Sequence, residues 1–89
     1  MTAPLNTPVF NCVVNVAART ADGLVVATVA NLAGLVSQGV SEREALAAVV
    51  SQFKTTVARC YGAGTPIPWI NPPVPPAAGE TQRLIAVHL

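Results

Sequence analysis

Few side chains in this chain can do chemistry. There are two cysteines, Cys12 and Cys60, one histidine, His88, and four carboxylates, Asp22, Glu42, Glu44 and Glu80. A thiol beside an imidazole would make a hydrolase, but the imidazole must be held against the nucleophile and oriented by a third group. His88 stands one residue from Leu89 with nothing near it in sequence to orient it. Carboxylates gathered around a divalent ion would make a nuclease of the RNase H type. Here Asp22 lies in an Asp-Gly turn, Glu42 and Glu44 open an expected helix, and Glu80 follows a proline-rich stretch. Turn and cap roles account for all four. The cysteines are too far apart to form a metal-binding pair. The chain therefore reads as a non-enzyme with no catalytic, cofactor-binding or metal-ligating residue. Direct nucleic-acid binding is not expected either. Such binding needs clustered positive charge, and Arg19, Arg43, Lys54, Arg59 and Arg83 are dispersed over a chain of net charge +1.

Composition points to association instead. The chain has 89 residues, which suits a single domain spanning 1–89. Hydrophobic residues make up 52% and charged residues 10%, against about 25% charged in a typical soluble domain. A surface so poor in charge favours contact with another protein. Residues 23–41 carry no charge, but Thr28, Asn31, Ser37, Gln38 and the glycines interrupt the run, so no membrane span is expected. Residues 1–18 lack the basic start of a secretory signal. A cytoplasmic location follows as the expectation, with both cysteines read as buried free thiols and a disulfide between strand and helix end as the alternative.

The elements that must position these residues can be read from periodicity. Residues 1–8 form a polar, proline-marked tail, expected to be flexible. Residues 9–17 alternate: Phe10, Cys12, Val14 and Val16 share one face, and Val9, Asn11, Val13 and Asn15 the other. Period two means a strand. Residues 19–23 turn the chain through Asp22-Gly23, a pair suited to positive φ. A second strand is expected over 24–30, a turn at 31–34 and a short third strand over 35–38. Ser41 and Glu44 form a capping box for a helix over about 42–61. Its apolar stripe is Ala45, Leu46, Val49, Val50, Phe53, Val57 and Cys60. Gly62 and Gly64 supply the stop. Residues 65–79 hold six of the eight prolines and cannot be helix or central strand. They read as a rigid connection over the core, anchored by Trp69 with Ile67 or Ile70, with a proline-rich ligand motif as the alternative. A last strand is expected over 80–89.

The residues Asp22-Gly23, Leu32-Ala33-Gly34, Gly39-Val40-Ser41 and Glu44-Ala45 together resemble the signature of the HicB-like antitoxin domain, a small fold of the partial RNase H type. The resemblance covers residues 9–62 well and the last strand by position. Where the family usually places prolines around the Leu turn, this chain has Ala30 and Ala33. The resemblance implies an α+β fold in the order β-β-β-α-β. Its mixed four-stranded sheet would have the order 3-2-1-4, with one long helix on one face and the last strand parallel to the first. It also implies a function: such antitoxins bind and mask HicA, a small toxin that cuts RNA. A stand-alone form is expected, without the C-terminal DNA-binding module that many members carry.

The expected function is thus a non-catalytic protein-binding module that acts as a homo-oligomer, most simply a dimer, with a HicA-like toxin as its further partner. The alternatives are a stand-alone HicB-like protein without a toxin and, far behind, an RNase H-like nuclease. With the helix on one sheet face, the other face should present the interface: Asn11, Val13, Asn15, Leu24, Val26, Thr28, Leu84, Ala86 and His88.

Overall fold

The computed structural model describes residues 8–17 and 21–89. The expected tail, apart from Pro8, and the start of the expected turn at Arg19 lie outside the described residues. Four strands and one helix follow in the order expected: β1 (Val9–Val16), β2 (Val25–Val29), β3 (Val36–Gly39), α1 (Glu42–Ala63) and β4 (Thr81–His88). The sheet order is β3-β2-β1-β4.

Each element has a local cause. Gly23 takes a φ of 79°, which a side chain would resist, and so lets the chain turn into β2. Ser41 keeps an extended backbone and its Oγ accepts from the Glu44 amide at 3.1 Å, which starts α1. Such a cap contributes about 1 kcal/mol. The helix continues past Gly62 and stops only at Gly64, which adopts the left-handed conformation and donates back to Cys60 and Tyr61. Gly39 serves a different need. A Cβ there would lie 2.7 Å from Glu44 Cβ and 2.9 Å from the Ala45 nitrogen. Only glycine lets the helix start sit directly on the end of β3.

The core forms between α1 and one face of the sheet. Cys12, Val14 and Val16 of β1, Val25, Ala27 and Val29 of β2, and Val87 of β4 meet Ala45, Val49, Phe53 and Val57 of α1. Leu46, Val50 and Cys60, the remainder of the expected stripe, are half-buried, while Arg43, Lys54 and Arg59 are exposed. The helix lies mainly over β2 and β3 and touches β4 little. Among the described residues, no helix is long and apolar enough to cross a membrane.

One expectation is corrected. The sheet is not mixed: β4 runs antiparallel to β1, with Thr81 beside Val16 and His88 beside Val9. The reason is the length of residues 65–79. A helix of 22 residues travels about 33 Å at 1.5 Å per residue. A proline-rich chain of that length extends by about 3.1 Å per residue, which is enough to undo the helix's travel. The chain therefore returns to the end of β1 before β4 begins, and β4 runs back along β1.

Candidate interaction surface

Three backbone hydrogen bonds at the strand ends fix the direction of every backbone group in the sheet. The Ala17 amide donates to the Val26 carbonyl (2.9 Å) and the Ala30 amide to the Val13 carbonyl (2.6 Å). Odd-numbered residues of β1 thus point their backbone toward β2. The Leu89 amide donates to the Pro8 carbonyl (3.1 Å), so even-numbered residues of β1 point toward β4. Antiparallel pairing alternates. It follows that Thr81, Arg83, Ile85 and Val87 bond to β1, whereas Gln82, Leu84, Ala86 and His88 direct their N–H and C=O groups away from the sheet. No described residue pairs with that outward row through the backbone.

The opposite edge is built differently. The Val29 amide donates to the Leu35 carbonyl at 3.0 Å, so in β3 it is Val36 and Gln38 whose backbone faces outward. β3 has only 4 residues. Gln52 reaches down from α1 to donate to the Val36 carbonyl (3.4 Å) and the Ser37 hydroxyl (2.6 Å). Short strands and covering side chains are standard protection against unwanted pairing. β4 has 8 residues, and among the described residues no side chain bonds to its outward row.

The proline-rich connection changes the face opposite the helix. It begins on the helix side, where the Trp69 ring packs 5.8 Å from Phe10 and 6.0 Å from Phe53, with Ile67 against the core. It ends on the other side, where the Val74 carbonyl accepts from the Asn15 side chain at 3.0 Å and from Gln82 at 3.4 Å. Between these points the Ile70 amide donates to the Asn31 carbonyl and the Val74 amide to the Ala30 carbonyl. The connection wraps around the sheet where β2 leaves β1. An open hollow of about 210 Å³, lined by Asn31, Trp69, Ile70, Asn71 and Pro73, lies along it.

Asn31, expected only as a turn residue, is what allows that departure. Its Oδ1 accepts from the Val13 amide (3.1 Å) and its Nδ2 donates to the Asn11 carbonyl (2.7 Å). One side-chain amide thereby replaces the rungs that β2 would have supplied. Sequence reasoning missed this, since Asn in a turn usually serves the turn itself.

The nine expected interface residues separate into three groups. Val13 and Asn15 are buried, so they cannot meet a partner. The connection that holds Asn15 has taken that place. Leu24 and Val26 are half-buried, and Asn11, Thr28, Leu84, Ala86 and His88 are exposed. Leu84 is 69% exposed, more than any other large apolar side chain described. The surface left open is therefore β4 with Asn11 of β1 and Thr28 of β2, not the whole face.

The chemical residues have structural positions. Glu42 pairs with Arg83 at 2.8 Å, tying the helix start to β4. This contact raises the Arg83 pKa. The Glu80 carboxylate accepts from the Ala77 amide at 2.7 Å. Both cysteines are free thiols, Cys12 buried and Cys60 half-buried. Burial pushes the Cys12 thiol up to about 11, away from the reactive thiolate. No three His, Cys, Asp or Glu side chains gather to hold a metal ion among the described residues. Comparison with family models, curated proteins and solved structures finds no match to this chain.

Proposed function

We propose that this chain is a non-catalytic, cytoplasmic protein-binding module of the HicB-like kind. It acts as a homo-oligomer, and its further partner is a small RNA-cutting toxin of the HicA type, which it binds and masks. The observation that carries the self-associating part of this reading is β4, a long edge strand that combines an outward backbone row with the exposed side chains of Leu84, Ala86 and His88. An extended edge of this sort recruits partners by strand addition, in which backbone bonds supply affinity and alternate side chains supply selectivity. The turn and cap residues from Asp22 to Ala45 support the family. The antiparallel β4 departs from the parallel strand the resemblance implies, so the weight rests on the exposed surface and on those motif residues.

The nuclease alternative finds little support. Glu42 and Glu80 are engaged in a salt bridge and a loop bond, whereas that chemistry requires carboxylates converging on one ion. The test is to purify the chain with the product of a HicA-like neighbouring reading frame. The two are expected to elute together, and RNA cutting by the toxin is expected to stop at equimolar chain. Undiminished cutting at large excess of the folded chain would reject the toxin-masking role. RNA cleavage by the chain itself with magnesium or manganese, lost in Asp22→Ala, would reject the non-catalytic one.

A further inference from the structure

We propose that two copies join edge to edge through β4, antiparallel across a two-fold axis at Ile85, so that two four-stranded sheets become one eight-stranded sheet. This rests on the self-associating part of the function proposed above and deepens it by choosing the edge and the register. The choice of edge follows from the contrast already drawn: β3 is short and its Val36 carbonyl is taken by Gln52, while the β4 row is long and has no backbone partner among the described residues.

The occupant is a second copy because the edge complements itself. Under a two-fold axis normal to the sheet, facing residues must lie on the same face. The axis therefore passes through a residue, not between two. An axis at Arg83 would set two like charges directly opposite, which is destabilising. An axis at Leu84 leaves His88 beyond the paired even-numbered residues. An axis at Ile85 pairs Gln82 with His88 of the second copy and Leu84 with its Ala86, and so uses all four outward residues. Ile85 then meets its own copy. Arg83 lies beside the second copy's Val87 and keeps its bond to Glu42.

The side chains favour the same arrangement. Except for half-buried Ile85 and buried Val87, β4 is exposed on both faces, because α1 lies over β2 and β3. Joining two β4 strands would cover the Leu84 side chain, 69% exposed in the single chain, with the second copy's Ala86. It would also make β4 an interior strand. Closed two-fold contacts of this sort are the commonest in homo-oligomers.

Two measurements test the proposal. Light scattering of the wild-type chain should give twice the 9.1 kDa monomer mass, and folded Leu84→Pro should give the monomer mass. Leu84→Pro removes an outward N–H and leaves the β1 ladder intact, as edge prolines do. For register, Ile85→Cys is made with Cys12→Ala and Cys60→Ser, since Cys12 is the residue beside Ile85 on β1. Facing residues of a non-hydrogen-bonded pair lie about 4.5 Å apart at Cα, within disulfide range of about 4.4–6.8 Å. Ile85→Cys should therefore cross-link under mild oxidation, and Val36→Cys on the other edge should not. A dimer that cross-links at Val36→Cys instead, or persists in folded Leu84→Pro, overturns the β4 edge and leaves self-association standing. A monomer at high micromolar concentration overturns both.

Discussion

Asn31 is a short polar side chain doing the job of a strand. It satisfies the Val13 amide and the Asn11 carbonyl where β2 has already turned away. Without it a buried amide loses its partner, and such a group costs about 1–3 kcal/mol. Asn31→Ala is therefore expected to lower stability in urea melts by about 2 kcal/mol with the helix signal unchanged in the folded state. A loss under 0.5 kcal/mol, on the scale of ordinary surface substitutions, would mean that water replaces the amide. Cys12 gives a second residue-scale prediction. Burial raises its folded pKa to about 11 from the ordinary 9.0. The folded chain then holds this proton more tightly than the unfolded one. The corresponding stability is fully present below pH 9 and is lost as pH rises from about 9 to about 11. Iodoacetamide at pH 8 should label half-buried Cys60 in the native chain and reach Cys12 only after unfolding. Mass spectrometry of the labelled peptides distinguishes the two. Neither role is visible in the one-dimensional pattern. An asparagine in Ala-Asn-Leu-Ala reads as a turn residue, and only the point where two strands part shows which amide lacks a partner.

At the scale of elements, the sequence carries the strands and the helix start, because period two, an apolar stripe and the Ser41 cap are local signals; the sheet order was an implication of the family resemblance and not of any local pattern. The sequence does not carry the direction of β4. That depends on whether residues 65–79 are long and extended enough to retrace α1, a global length comparison that no local pattern encodes. Gly39 sits between these cases. It is recognisable as a turn glycine, yet its actual requirement is the close approach of Glu44 and Ala45 at 2.7 and 2.9 Å. Gly39→Ala should push the helix start off β3 and cost about 1–3 kcal/mol, the usual range for overpacking. A melt unchanged from wild type would show that the helix start can shift freely. Glu42–Arg83 is exposed on both sides, so its removal should change little; pairs of this kind are weak in solvent.

At the scale of the whole molecule, the chain uses its proline-rich connection as a third layer. One part of the outer face is closed over Val13 and Asn15, and β4 is left open beside it. An outer face opposite the helix was legible from the alternation of β1. Its partial closure was not, since prolines state that a segment is extended and not where it lies. The low charged fraction of 10% fits a molecule that buries part of its surface against a partner. The most direct measurement of that claim is amide hydrogen exchange along β4 as concentration is raised. Paired β4 strands predict that the outward amides of Leu84 and Ala86 become as slow as the inward amides of Ile85 and Val87 at high concentration. On dilution the outward amides alone should become fast. An alternating pattern, slow at Ile85 and Val87 and fast at Leu84 and Ala86 at every concentration, would contradict the account.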